Sequence, residues 1–177
     1  DRAYGYGMSD DNNYFNADFI SMTQPYAAGA LLSTVDDLYK WYSAVMKDRV
    51  MSKASRKEAH STYLLDNGEE TEYGYGWGIG NVQGSQMISH GGGINGYLTS
   101  SIYLPEEKVF VAIFSNCNCN SPWNVSMKMA AVAIEKPYEW EKIGLGENFL
   151  NAYEGVYESE KGERQIITFE DGQLYSM

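Results

Sequence analysis

The sequence has no long apolar run, few cations and only two histidines. No apolar stretch approaches the roughly 18 residues that a membrane-spanning helix requires. Its 13 Lys and Arg are outnumbered by 24 Asp and Glu, which gives a formal net charge of -11. That excess of acid repels phosphate groups, so we expect neither nucleic acid nor an anionic membrane as a partner.

Cysteine is equally scarce, and both copies, Cys117 and Cys119, lie in the segment NCNCN. Their spacing is too tight for a comfortable disulfide, and no second Cys or His pair nearby completes a zinc site. We therefore predict two free thiols without a chemical role, and we expect no metal and no cofactor.

The first ten residues, DRAYGYGMSD, contain neither the basic segment nor the apolar segment of a targeting signal. Because the chain starts at Asp1 and not at Met, we interpret it as a processed or excised piece, and this leaves the location of the parent protein undecided. Its 177 residues are 44% hydrophobic, enough to bury a core. The length fits one domain, or one domain and part of another.

Two helices are predicted after an irregular segment over residues 1–28, which is rich in Asn, Asp, Tyr and Gly. The first helix has Ser33 or Thr34 as its N-cap and runs to about Lys47, because acidic residues occupy its first turn and apolar residues recur on one face. A second, shorter helix is predicted over residues 52–61.

From Tyr73 the pattern changes from helical to alternating. The stretch YGYGWGIGNV has glycine at every second position, which predicts a strand with one bare face that a backbone, a helix or a ligand approaches closely. The runs QMISH, YLTSSIYLP and KVFVAIFSN follow, and a turn at residues 105–108 joins the last two. These runs predict an antiparallel meander. Ser121 and Pro122 then begin an apolar helix that ends before Pro137.

The whole pattern predicts an α+β fold in which an antiparallel sheet is flanked by helices. The acidic, irregular residues 137–150 are interpreted as a linker between a main domain over residues 1–136 and a β-rich tail over residues 151–177. The tail alternates like β-hairpins, with Asp171-Gly172 as a tight turn. Because two or three strands alone do not form a stable sheet, we interpret the tail as the opening of a truncated second domain.

The segment ISHGGGINGY combines one of the two histidines, His90, with three consecutive glycines. We predict that His90 ends a strand and that Gly91 to Gly93 run beside or into the next connection. Glycine lets another molecule approach the backbone and leaves N–H groups open to an anion or a carbonyl oxygen. The histidine can donate a hydrogen bond or carry a proton. A glycine-rich turn capped by a histidine is the alternative interpretation.

The order of the segments around His90 resembles the C-terminal half of the serine β-lactamase-like family, which includes class C β-lactamases, DD-peptidases, D-aminopeptidases and related esterases. The segments are AAGALLSTVDDLYKWYSAV, the Tyr-Gly-Tyr-Gly-Trp-Gly strand, SHGGGINGY and SSIYLPEEKVFVAIFSNCN, and the resemblance covers roughly residues 1–135. It implies a partial β-lactamase/transpeptidase-like fold. The tail is similar to the start of the small β-rich domain that often follows in such proteins.

In that family a Lys-Thr-Gly or His-x-Gly triad lies on a strand that lines the active site, and His90-Gly91-Gly92 is similar to the histidine form. The resemblance implies that Gly93, the residue after the triad, supplies one of two oxyanion-hole N–H groups. It also implies an acyl-enzyme mechanism on an amide, peptide or ester. Gly91, Gly92, Asn95 and Tyr97 are the predicted substrate-binding residues. Whether His90 binds substrate or transfers a proton is left open.

The family's nucleophile, the serine of a Ser-x-x-Lys motif, is missing from this chain, since no serine has a lysine three residues later. A Gly-x-Ser-x-Gly elbow is missing too. The one match to the family's Tyr-x-Asn motif, Tyr14-Phe15-Asn16, stands in the irregular Asn-rich segment, and we interpret it as a coincidence. We therefore predict that the chain alone is not an enzyme, whereas a parent that also contained the nucleophile would be a serine hydrolase acting on a small molecule or peptide.

A second function class stays open, in which the chain is a non-catalytic binding or interaction module on the same fold. The resemblance alone implies a periplasmic or otherwise extracytoplasmic location in a bacterium. Self-association, domain exchange or low stability of the chain is expected, because one side of its sheet and helix layers would be exposed without the missing half. His60 is interpreted as a surface or cap residue. Tyr73, Tyr75 and Trp77 are interpreted as core residues in preference to cleft residues.

Overall fold

The computed structural model describes residues 2–139, 145–159 and 164–176. The chain divides into two compact units, residues 1–138 and residues 139–177. The first unit contains a four-stranded antiparallel sheet with helices on both faces, which confirms the predicted α+β class. The strands of this sheet are β3 (Gly78–Val82), β4 (Ser85–Ile94), β5 (Tyr97–Leu104) and β6 (Val109–Ser115). They pair in the order β3-β4-β5-β6, which is the predicted meander.

The segment before the first long helix is more regular than predicted. It forms a two-stranded sheet of β1 (Tyr6–Met8) and β2 (Tyr14–Asn16), followed by the single turn of α1 (Tyr26–Gly29). The prediction of an irregular segment was wrong here because Tyr6 bonds to the loop after β6, which the local sequence does not reveal.

The two predicted helices of the next segment are confirmed. Helix α2 (Val35–Met46) begins at Thr34, whose hydroxyl accepts a hydrogen bond from the backbone N–H of Asp37 (3.1 Å). Helix α3 (Lys53–Ala59) begins at Ser52 in the same way. Such caps satisfy donors that a helix start leaves unpaired, which is why Ser and Thr mark these positions.

One face of the sheet packs against α2 and α3, and the other packs against α4 (Trp123–Ala133), the helix predicted to begin at Ser121 and Pro122. Ile102, Leu104 and Val82 are fully buried beside Ala130 and Ala131 of α4. The opposite face carries a second apolar cluster, which consists of Tyr42, Val45, Ala59, Trp77 and Ile88. The chain therefore builds a layer of helix, a layer of sheet and another layer of helix around two apolar interfaces.

The glycine-alternating strand is shorter than predicted. Residues 73–77 form a tight loop in which the N–H of Gly74 donates to the carbonyl of Trp77 (2.8 Å), and Gly76 has a φ of +78°. Trp77 is buried as expected, but Tyr73 and Tyr75 are 47% and 66% exposed, so their interpretation as core residues was wrong. A backbone does pack over the glycines: a Cβ at Gly74 would lie 2.2 Å from the carbonyl oxygen of Ala59.

Cys117 and Cys119 form a disulfide, so the prediction of free thiols was wrong. The backbone bends after β6, and the hydroxyl of Ser115 accepts a hydrogen bond from the N–H of Cys117. This bend brings the two cysteine Cα atoms to 5.2 Å, within the usual range for a bridge. Spacing in the sequence did not reveal the bend.

The second unit consists of α5 (Glu147–Asn151) and a three-stranded antiparallel sheet of β7 (Gly155–Glu158), β8 (Arg164–Glu170) and β9 (Gln173–Ser176). Asp171 and Gly172 both have positive φ and form the predicted tight turn between β8 and β9. Helix α5 begins within the predicted linker, of which residues 140–144 lie outside the described residues.

Candidate active site on strand β4

His90 lies in the middle of β4, so the prediction that it ends a strand was wrong. The strand continues through the three glycines to Ile94, and the turn comes at Asn95 and Gly96, where Gly96 has a φ of +79°. Glycines allow this strand because each lies opposite a residue of β5 at close range. A Cβ at Gly92 would be only 2.8 Å from the hydroxyl oxygen of Thr99.

Strand β4 is longer than β3, and the difference leaves an open edge. The last pair between them joins Ser89 to Gly78, whereas β5 accompanies β4 as far as the pair of Ile94 with Tyr97. Beyond Ser89 the chain before β3 turns away through the loop at residues 73–77. Residues 90–94 therefore have a strand neighbour on one side only, within the part of the chain that the structure describes.

The hairpin register decides which backbone groups face the open edge. Ile94 and Tyr97 close a two-residue turn, so they exchange hydrogen bonds and the backbone groups of Ile94 point toward β5. Because the direction alternates along a strand, His90 and Gly92 also point toward β5, while Gly91 and Gly93 point away from it. The N–H groups of Gly91 and Gly93 thus face the open edge, and both residues are exposed.

The imidazole of His90 is held at both nitrogens. Nδ1 lies 2.5 Å from the carbonyl oxygen of Gly91, and Nε2 lies 2.8 Å from the hydroxyl of Tyr73. A carbonyl oxygen only accepts hydrogen bonds, so Nδ1 carries the proton of the neutral ring. Nε2 then has a lone pair and accepts the hydrogen bond of Tyr73.

The backbone of His90 has a second anchor on the face that α2 covers. Its carbonyl oxygen accepts a hydrogen bond from the hydroxyl of Ser101 (2.9 Å), and that hydroxyl lies 3.0 Å from the hydroxyl of Tyr42. Burial raises the pKa of Tyr42 to about 12, which keeps this phenol neutral. The chain of hydroxyls connects the buried core to His90 without introducing a charge.

Asn95 and Tyr97 lie at the turn that ends the open edge, and their polar atoms bind the N-terminal segment. The side-chain amide of Asn95 donates to the carbonyl of Asp18 (3.1 Å), and the hydroxyl of Tyr97 donates to the carbonyl of Ala3 (2.6 Å). The structure thus brings His90 and the three glycines together at one edge. The role of Asn95 and Tyr97 in binding substrate stays a prediction.

Tyr73, Ser101 and Tyr42 are members of the site that sequence reasoning missed. Tyr73 is predicted from the sequence as a core aromatic, and no role in the site is predicted for Ser101 or Tyr42. Their contacts depend on the loop at residues 73–77 and on the packing of α2 against the sheet, and neither feature has a local signal. The second histidine, His60, is the C-cap of α3, which confirms the cap alternative of its prediction, but at 9% exposure it is buried and not a surface residue.

Among the described residues, no three His, Cys, Asp or Glu side chains come together as possible metal ligands. No helix within those residues is long and apolar enough to cross a membrane.

Comparison with known proteins gives the geometry a context. The profile of the family described as Beta-lactamase matches residues 1–133. The chain is similar to Penicillin-binding protein 4* of Bacillus subtilis (strain 168), with 29% identity over 157 residues, which is 83% of this chain and 35% of that protein. It is also similar to the octameric penicillin-binding protein homologue from Pyrococcus abyssi, with a TM-score of 0.68 and 25% identity. That match covers 98% of this chain and 43% of the other. The chain thus spans less than half the length of these relatives.

Proposed function

Since the chain belongs to the Beta-lactamase family, we propose that it is the substrate-binding and oxyanion part of a serine hydrolase that cleaves an amide, a peptide or an ester through an acyl-enzyme. The observation that carries the proposal is the open edge of β4, where the N–H groups of Gly91 and Gly93 lie beside His90. Backbone donors fixed on a strand can hold a developing oxyanion without reorganising during the reaction.

In this proposal Gly93 supplies one oxyanion-hole N–H, and His90 with Gly91 and Gly92 binds the substrate next to the nucleophile. The nucleophilic serine and its lysine come from sequence outside residues 1–177, because no Ser-x-x-Lys occurs among them. Residues 1–136 form part of the hydrolase domain, and residues 151–177 open a second domain. The substrate is a small molecule or a peptide.

The first test is the coding sequence on either side of these residues. We expect a Ser-x-x-Lys and a Tyr-x-Asn in frame upstream. A start codon or signal sequence directly before Asp1 would instead favour a non-catalytic binding module, which the open strand edge also suits.

The oxyanion role of Gly93 is tested in a chain that also contains the nucleophile, by comparing Gly93→Pro with Gly93→Ala. Proline removes the N–H on the open edge, where no ladder bond is lost. Alanine adds the same Cβ, 3.2 Å from a methyl of Leu98, and keeps the N–H. We expect Gly93→Pro to lower kcat by about 10²- to 10³-fold relative to Gly93→Ala. Equal activities would remove Gly93 from the oxyanion hole.

The chain alone is expected to be inactive. Incubated with a fluorophosphonate probe, it should show no increase in mass, because no serine is activated by a lysine three residues later. A stoichiometric adduct would mean that residues 1–177 contain a nucleophile of their own, and the proposed division of labour would then be abandoned.

We also propose that the isolated chain self-associates. Three apolar side chains on the outer side of α4 are about half exposed or more, namely Val125, Met129 and Val132, and such patches favour association. The homologue from Pyrococcus abyssi is octameric. Sedimentation should show species larger than the monomer, whereas a sharp thermal unfolding of monomer independent of concentration would contradict this.

For the location, we propose a periplasmic or otherwise extracytoplasmic bacterial protein. The Cys117–Cys119 disulfide supports this proposal, since disulfides persist in oxidising compartments and are rare in the cytosol.

A further inference from the structure

Tyr73 lies near the open edge of β4, in a loop whose backbone is held by neighbouring residues. Its backbone pairs with Gly78 in an isolated bridge, and its carbonyl accepts a hydrogen bond from the hydroxyl of Thr71 (2.8 Å). The loop closes onto Trp77, which is buried against Tyr42. The backbone of Tyr73 is therefore fixed by the core, while its side chain remains 47% exposed.

The side chain of Tyr73 reaches His90 across β3, with 6.1 Å between the ring centroids and 2.8 Å between the hydroxyl and Nε2. Because Nδ1 already donates to the carbonyl of Gly91, the hydroxyl of Tyr73 occupies the last free nitrogen of the ring. The two contacts favour one tautomer and one ring orientation, as the second partner of a functional histidine commonly does.

We propose that Tyr73 is a positioning residue of the active site: it holds the ring of His90 against the open edge, in the orientation in which the carbonyl of Gly91 requires the proton on Nδ1. The role of Tyr73 at a catalytic site rests on the proposed function. In this arrangement Nε2 is not free to take a proton from a nucleophile or a substrate, so His90 serves binding and orientation while the pair is intact. Proton transfer by His90 would require Tyr73 to move away first.

The structure also offers a reason why the pair stays together. The His90 carbonyl is fixed by Ser101, and the loop carrying Tyr73 is fixed by Trp77, so both partners are attached to the same apolar cluster. Holding both ends lowers the entropy lost when the hydrogen bond forms. A tyrosine on a freely moving loop would gain less from the same contact.

The experiment is a nitrogen NMR measurement of the histidine rings in the isotopically labelled chain of residues 1–177, at about pH 9, where an ordinary imidazole is neutral. In the unmodified chain we expect Nδ1 of His90 to resonate as a protonated nitrogen and Nε2 as a nitrogen with a lone pair. In Tyr73→Phe the ring is no longer held against the carbonyl of Gly91, so the ratio of the Nδ1-protonated to the Nε2-protonated tautomer should fall several-fold, up to about tenfold, which corresponds to the free energy of one hydrogen bond.

Two controls accompany the variant. Tyr75 is an exposed residue of the same loop, and its hydroxyl has no hydrogen bond among the described residues. Tyr75→Phe removes this hydroxyl and should leave the His90 tautomer unchanged. The resonances of His60, whose buried Nε2 has no partner among those residues, should be the same in all three chains. Any change at His60 would mark a general disturbance of the fold.

A ring of His90 protonated on Nε2 in the unmodified chain would overturn the proposal without any variant. So would a tautomer ratio that Tyr73→Phe leaves unchanged, or that Tyr75→Phe changes as much. None of these readings depends on catalysis, so the positioning role of Tyr73 fails or stands separately from the oxyanion role that the Gly93 variants test.

Discussion

Replacing His60 by phenylalanine should make the stability of the first unit much less sensitive to mild acid. His60 is 9% exposed, its Nε2 has no partner among the described residues, and its ring meets the edge of Trp77 at a centroid distance of 5.0 Å. Burial, and then the charge of Arg56, lowers the pKa of His60 below its ordinary 6.5. The neutral ring is therefore the form that the folded chain accepts.

The sign of the effect follows from proton binding. An unfolded His60 takes up a proton near its ordinary pKa of about 6.5, and the folded one does so only at lower pH. Between the folded and the unfolded pKa of His60, the unfolded chain binds more protons than the folded chain. The contribution of neutral His60 to the free energy of unfolding is therefore fully present above about pH 6.5 and decreases as the pH falls. One proton gives a slope of at most about 1.4 kcal/mol per pH unit.

Urea unfolding followed by circular dichroism, at steps from about pH 7.5 to pH 5, measures this slope. The paired carboxylates do not interfere: a hydrogen bond from Arg56 lowers the pKa of Asp48, which therefore loses its contribution only at more acidic pH. His60→Phe keeps an aromatic ring against Trp77 and should remove most of the slope. A slope that His60→Phe does not alter would refute the reasoning.

Two further predictions concern the glycines and the cysteines. Gly74→Ala should destabilise the chain by about 2 kcal/mol or more, because its Cβ would meet the backbone oxygen of Ala59 at 2.2 Å. In Gly80→Ala the Cβ would meet only the end of a flexible methionine side chain at 3.0 Å, so this variant should lose less stability. Equal midpoints of urea unfolding for the two variants would contradict this. A thiol reagent should label neither Cys117 nor Cys119 until a reductant is added, and full labelling of the untreated chain would show that the disulfide is absent.

Much of the fold could be predicted because its signals are local. Thr34 caps α2 since a hydroxyl at that point satisfies a free N–H, and the alternating runs after residue 84 form the meander because the side chains of a strand point to opposite faces. The tight turn at Asp171 and Gly172 follows from residues that tolerate positive φ. These features depend on a few adjacent residues, which the sequence displays directly.

Part of the candidate site was visible in the same way. A histidine followed by three glycines on a strand indicates exposed backbone donors, and the order of the surrounding segments indicated the family, which the profile match over residues 1–133 confirms. The sequence could not show which glycine N–H groups face outward. That choice depends on the pairing of Ile94 with Tyr97 and on β3 ending opposite Ser89.

The features that join distant segments depend on packing between elements. Tyr73 reaches His90 because a loop anchored by Trp77 turns it back across β3, and Cys117 reaches Cys119 because the chain bends where it meets the first strand. His60 is buried because α3 packs on the same aromatic cluster. Local patterns in the sequence specify the elements and the glycine-rich strand. The contacts that orient His90 and bury His60 arise from packing between elements, whose energy no local pattern encodes.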